Sequence, residues 1–101
     1  MNKFRLKRIQ DTIIELRSAE CIINACDDEL NDIYDEEYEV LENTPENLKE
    51  GENFKEKSDK CDELEDIKDE ITEVSATLSE LIEKLEVLYW DSLPVENLLK
   101  Y

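Results

Sequence analysis

Carboxylates dominate the chemistry this sequence offers. Of its 101 residues, 29 are Asp or Glu and 12 are Lys or Arg, for a net charge of −17, and there is no histidine. Between Asp27 and Glu52 twelve acidic side chains face a single base, Lys49. Asp62, Glu63, Glu65, Asp66, Asp69 and Glu70 continue the run, relieved by few lysines. Carboxylates four residues apart on a helix recur about every 6 Å, from a rise of roughly 1.5 Å per residue. That spacing is close to the phosphate spacing of a nucleic-acid strand, so mimicry of nucleic acid is geometrically open. Such a field repels nucleic acid and anionic membranes and attracts basic surfaces.

Other chemistries fit poorly. Without histidine there is no Ser-His-Asp or Cys-His nucleophile, no His-containing zinc site and no Glu-x-x-His di-iron pattern. The run Asp27-Asp28-Glu29-Leu30-Asn31-Asp32-Ile33-Tyr34-Asp35 lacks the central glycine of a calcium loop. Paired carboxylates for glycoside hydrolysis can be chosen anywhere in so acidic a chain, and that abundance empties the choice of meaning. Cys21, Cys26 and Cys61 are odd in number and lack Cys-x-x-Cys spacing, which reads as reduced thiols. The expectation is a non-enzymatic, cytoplasmic protein with no cofactor or metal. No stretch approaches a membrane span, and the basic start is not followed by the apolar block of a secretory signal.

These carboxylates need elements to hold them. One glycine and two prolines are too few for the bends of a sandwich or a barrel, so the chain is predicted all-α. The reading is an antiparallel two-helix coiled-coil hairpin: helix 1 about 3–42, turn 43–52, helix 2 about 53–92, and a short C-terminal helix about 94–100, in a single domain 1–101. Thr44 is expected to cap a short helix opened by Pro45, Gly51 to take a left-handed backbone, and Asn53 with Glu56 to form a capping box.

Helix 2 carries Leu64, Ile71, Leu78 and Leu85 at heptad position a, and Ile67, Val74, Leu81 and Leu88 at d. Helix 1 carries Ile9, Leu16, Ile23 and Leu30 at a, and the weaker Thr12, Ala19, Cys26, Ile33 and Val40 at d. Setting a against d requires facing residue numbers to add to 97, which centres the turn between Leu48 and Lys49. Cys26 is then a core residue, Cys21 is exposed, and Cys61 lies on the e flank near the acids, which raise its pKa.

A further row, position e, holds Leu6, Ile13, Tyr34 and Leu41 on helix 1 and Ile82 and Tyr89 on helix 2. It is assigned to self-association, joining two hairpins into a four-helix bundle, or else is covered within a monomer by the C-terminal segment, Ser92 to Tyr101, folding back and docking on it. Trp90 and Tyr89 offer an aromatic anchor for a partner, or pack on the C-terminal segment.

The run from Glu36 to Glu52, Glu-Glu-Tyr-Glu-Val-Leu-Glu-Asn-Thr-Pro-Glu-Asn-Leu-Lys-Glu-Gly-Glu, followed by Leu/Ile heptads, resembles small acidic helical-hairpin proteins of bacteria and phages. In that group an Asn-x-Pro-Glu-Asn/Ser-Leu turn joins the helices. The likeness spans roughly Asp32 to Leu88, and its specific residues are Asn43, Pro45, Glu46 and Leu48. It implies the hairpin fold and a bacterial or phage setting, without an assigned activity.

Two readings of function follow. In the first, Glu36, Glu37, Glu39, Glu42, Glu46, Asp62, Asp66 and Asp69 contact a basic protein surface, binding and inhibiting a nucleic-acid-handling or defence protein, with no direct contact to nucleic acid or membrane. In the second, the chain is a structural oligomerisation module, a homodimer whose acidic surface serves solubility.

Overall fold

The computed structural model describes the backbone of residues 1–99 and the side chains of residues 1–93. It is a helical hairpin: α1 spans Lys3–Glu42, a single 3₁₀ turn spans Glu46–Leu48, and α2 spans Glu52–Leu99. Among the described residues there is no strand, and no helix is long and apolar enough to cross a membrane.

The helix ends follow local chemistry. Asn2 opens α1, its side-chain oxygen accepting the Arg5 backbone N–H at 2.9 Å, as an N-cap does. At the other end the Thr44 hydroxyl donates to the Val40 carbonyl at 2.9 Å. Thr44 therefore closes α1 instead of capping the next turn. Pro45 precedes that turn in an extended conformation (φ −58°, ψ 144°) and provides no side-chain cap. Its locked φ and missing N–H suit this place.

Gly51 has no positive φ, which corrects the left-handed expectation. Its N–H donates to Leu48 O at 3.3 Å and its carbonyl accepts Lys55 N–H at 3.2 Å, so it stands just before the first turn of α2. Helix 2 therefore starts at Glu52, and Asn53 lies inside it rather than heading a capping box.

The separate C-terminal helix is also corrected. α2 runs unbroken through Pro94 to Leu99. The φ of proline is itself helical, so the backbone continues at the loss of one N–H···O=C bond, to Trp90. Lys100 and Tyr101 lie outside the described residues, as do the side chains from Pro94 on, which include Val95, Leu98 and Leu99 of the expected docking segment.

Contacts divide the chain into two units. A terminal unit joins Met1–Ile23 to the α2 residues from Val74 on, and a turn unit comprises Asn24–Glu73. Each contains a stretch of both helices.

In the terminal unit the core holds Leu6 at 3% exposure and Ile82 at 0%, with Ile9, Ile13, Leu16, Leu78, Leu85 and Tyr89 half-buried. In the turn unit Leu41 and Cys61 are buried, and Leu30, Tyr34, Leu64 and Ile71 are half-buried. Rows a and e thus form the seam in both. The d row lies outside it: Ile33, Val40 and Ile67 are exposed in the turn unit, and Val74, Leu81 and Leu88 in the terminal unit. Cys26, placed in the core by its heptad position, is exposed.

The stagger of the helices departs from the expected sum of 97 by two residues in the turn unit and by up to six in the terminal unit. Cross-helix pairs have residue numbers adding to 99 for Tyr34 with Glu65 and for Asp27 with Thr72, and to 103 for Arg17 with Glu86. The roll of each helix about its axis differs as well.

Helix 1 explains the roll. Its d row is small at Thr12, Ala19 and Cys26, whereas its e row offers Leu6, Ile13, Tyr34 and Leu41. Helix 2 has apolar residues on a, d and e but only one partner helix, so one row stays uncovered. Leu6, Leu41 and Ile82 are consequently buried inside the hairpin, which corrects their assignment to self-association, while Ile13, Tyr34 and Tyr89 lie half-buried at its seam.

Candidate interaction surfaces

The acidic residues do not divide evenly between the units. The turn unit holds 21 acidic and 5 basic side chains, a net charge of −16; the remaining 8 acidic and 7 basic residues leave the terminal unit at −1. Nearly the whole charge of the protein belongs to Asn24–Glu73.

The eight carboxylates picked from the sequence all lie in the turn unit and are all exposed. Glu36, Glu39 and Glu42 follow at intervals of three along α1, and Asp62, Asp66 and Asp69 at four and three along α2. Each set therefore forms a stripe on the outer side of its helix. Glu37 and Glu46 stand apart from the stripes. Glu37 is close enough to Cys61 for its charge to act on the thiol. Glu46 lies in the 3₁₀ turn and accepts Lys49 Nζ at 3.3 Å, and Asp69 takes Lys68 at the same distance. The carboxylates of both pairs face solvent, and the pairs contribute little to stability.

One cluster that ties the turn unit together was not singled out in the sequence. The Tyr34 hydroxyl donates to Glu65 at 2.6 Å, Lys68 Nζ lies 5.5 Å from the centroid of its ring, and Tyr38 stacks on it at 6.0 Å. The Thr72 hydroxyl donates to Asp27 at 2.9 Å and to Lys68 O at 3.0 Å. These bonds let a seam containing charged residues hold two helices together, since a polar group in the interface keeps a partner. A tyrosine seven residues before Leu41 and seven after Asp27 is the signal that marks the e row as the seam.

Hydrogen bonding to Glu65, then loss of water around the phenol and the charge of Glu65, push the Tyr34 pKa above its ordinary 10.0. Tyr38 is shifted the same way, chiefly by Glu42. Folding therefore favours the neutral Tyr34 phenol. Its contribution is fully present below pH 10 and is lost as pH rises from there through the folded value. Tyr34→Phe is expected to lower the urea midpoint at pH 8. At pH 11 the gap between wild type and variant narrows. Urea titrations of both proteins at the two pH values check this; a constant gap contradicts it.

The Cys61 thiol is also raised, first by burial and then by the charges of Asp62, Glu37 and Glu65. Cys21 and Cys26 are exposed, and all three are free thiols. Among the described residues no three Cys, Asp or Glu side chains are grouped as a metal site requires.

The terminal unit offers a different surface. Trp90 is 63% exposed and meets Tyr89 edge to face, 5.5 Å between centroids at 75°. Gln10, Ile13, Ile14 and Glu86 complete a shallow groove with these two rings. Arg17 bridges Glu20 on its own helix and Glu86 on the other, closing this side of the hairpin with charge.

Comparison of the chain with protein-family models, with curated proteins and with solved structures gives no match.

Proposed function

We propose that this is a non-enzymatic interaction protein of the cytoplasm whose turn unit engages a basic protein surface. The observation that carries the reading is the concentration of −16 of the −17 charges in 50 residues, with the carboxylates exposed in stripes on both helices. A field of that strength accelerates encounter with a basic partner and selects against acidic ones. Neighbouring carboxylates in the stripes stand three or four residues apart, about 5–6 Å between Cβ atoms, near the spacing of phosphates, so a protein that handles nucleic acid is the class of partner the surface suits. Inhibition follows where the occupied surface is the partner's own nucleic-acid site. The phage or mobile-element setting rests on the resemblance of the turn, Asn43 to Leu48, to small acidic hairpin proteins.

The test uses the immobilised protein and a bacterial lysate. A basic protein is expected to be retained at about 0.05 M salt and released by about 0.3 M, where the screening length is short. Glu39→Lys, Glu42→Lys and Glu46→Lys together move the turn unit from −16 to −10, two charges for each substitution. Retention should fall roughly ten-fold or more. Undiminished retention by the triple variant, or retention indifferent to salt, refutes the reading.

A second reading, an oligomerisation module, draws on the exposed apolar side chains of the terminal unit, Phe4, Ile14, Ile22, Val74, Leu81, Val87, Leu88 and Trp90. The two readings concern different units and are compatible in one molecule.

A further inference from the structure

The terminal unit has two flanks beside its seam, and they differ. One carries Arg17 and Glu86, joined across the hairpin. The other carries the d rows. There Val74, Leu81 and Leu88 stand 57%, 54% and 47% exposed on α2. On α1 the corresponding row is small: Thr12 is exposed and Ala19 half-buried. The Arg17–Glu86 pair, whose numbers add to 103, sets Leu88 within one turn of the level of Thr12 and Leu81 within one turn of Ala19. This flank is therefore a ridge of large side chains beside a furrow of small ones.

We propose that a second copy of this chain docks on that flank through its own terminal unit, the ridge of each copy lying in the furrow of the other about a twofold axis. Three observations select this occupant. Ridge and furrow side by side on one surface are self-complementary, which an isologous twofold interface requires. In the turn unit the same row of α1 is small only at Cys26; farther along, Ile33 and Val40 stand with Ile67 and provide no furrow. Charge decides the rest: two terminal units at −1 meet with almost no repulsion, whereas contact between turn units sets −16 against −16. The rim is balanced in sign, with Arg8 and Lys84 against Glu15 and Asp91.

The fourteen residue steps from Val74 to Leu88 extend about 21 Å, and two helices side by side are about 20 Å wide. The footprint, about 400 Å² on each copy and about 800 Å² in all, is below that of stable complexes and fits a weak, transient dimer. The residues differ from the e row first assigned to association, and the acidic turn units stay outside the interface.

Sedimentation equilibrium on the full chain tests the proposal. Wild type is expected to pass from monomer to dimer at about 10–100 μM, with a dissociation constant that changes less than about three-fold between 0.05 and 0.5 M salt. Leu81→Glu with Leu88→Glu should raise the constant at least ten-fold with helical circular dichroism unchanged. Thr12→Arg, which fills the furrow and leaves the ridge intact, should do the same and serves if the double variant loses helicity. Ile67→Glu, on the same row in the turn unit, should leave the dimer intact. A wild type monomeric at about 200 μM overturns the proposal and leaves the flank to a different partner. Dimers that survive Thr12→Arg, or that are lost with Ile67→Glu, overturn it as well.

Discussion

Replacing Ile82 with alanine is expected to cost about 2–5 kcal/mol of stability, whereas the same change at Leu81, the preceding residue, should stay within about 0.5 kcal/mol. Ile82 has 0% of its surface exposed and Leu81 has 54%. Truncating Ile82 removes apolar contacts and opens a cavity that two packed helices close only partly, while Leu81 leaves a surface already wet.

At roughly 4–8 °C per kcal/mol for a domain of this size, the melting temperature should fall by about 8–40 °C for Ile82→Ala. Thermal melts at about 1 μM protein, below self-association, check the comparison. A seam built from rows a and d reverses the order, with Leu81→Ala the damaging change, so these two neighbours report the roll of α2 directly. Ile82→Glu is expected to unfold the hairpin, because it places an unpaired charge in the core.

The second large effect is on thiol reactivity. With an aromatic disulfide reagent at pH 8, Cys21 and Cys26 should react promptly and Cys61 on the order of a thousand-fold more slowly. Cys61 is 5% exposed, and its thiol is raised by burial and by Asp62, Glu37 and Glu65. The reagent needs the thiolate, so a raised pKa and lost access act in the same direction. Reaction then requires the turn unit to open, and its rate reports how often this happens. Stopped-flow absorbance should give an amplitude of two thiols, followed by a slow third that urea accelerates. Three fast thiols place Cys61 on an open flank and contradict the packing of the turn unit.

The sequence carries much of this fold in plain form. Spacing of Gly51 and Pro45 against two uninterrupted heptad series marks both helices and the turn, and α1 ends at Glu42 where the pattern ends it. The stagger is legible to within two residues in the turn unit, because a turn of fixed length leaves little freedom in which residues come level beside it.

The roll is not legible from the cleaner repeat. Leu64 to Leu88 forms an unbroken a/d series, yet its partner helix is small at Thr12, Ala19 and Cys26. The large residues of α1 on row e decide what is buried. Polar members of the seam concealed this, since Tyr34, Asp27, Glu65 and Lys68 look like surface until their mutual bonds are seen. Helix-end details are short-range choices between alternatives of similar energy. The Thr44 hydroxyl has a carbonyl behind it and an N–H ahead of it, and residue type alone does not say which it takes. The acidic stripes needed only the helices and the turn; which carboxylates stand apart, Glu37 beside Cys61 and Glu46 on Lys49, needed coordinates.

Crowding 21 carboxylates into the 50 residues of one unit has a cost that the medium sets. Mutual repulsion strains that half of the molecule in dilute buffer and relaxes as counterions gather, so its opening should slow as ionic strength rises. A cationic surface that settles there acts as a concentrated counterion, tightening the same helices it binds. The turn unit is thereby a spring under electrostatic tension, and whatever neutralises it also firms its fold.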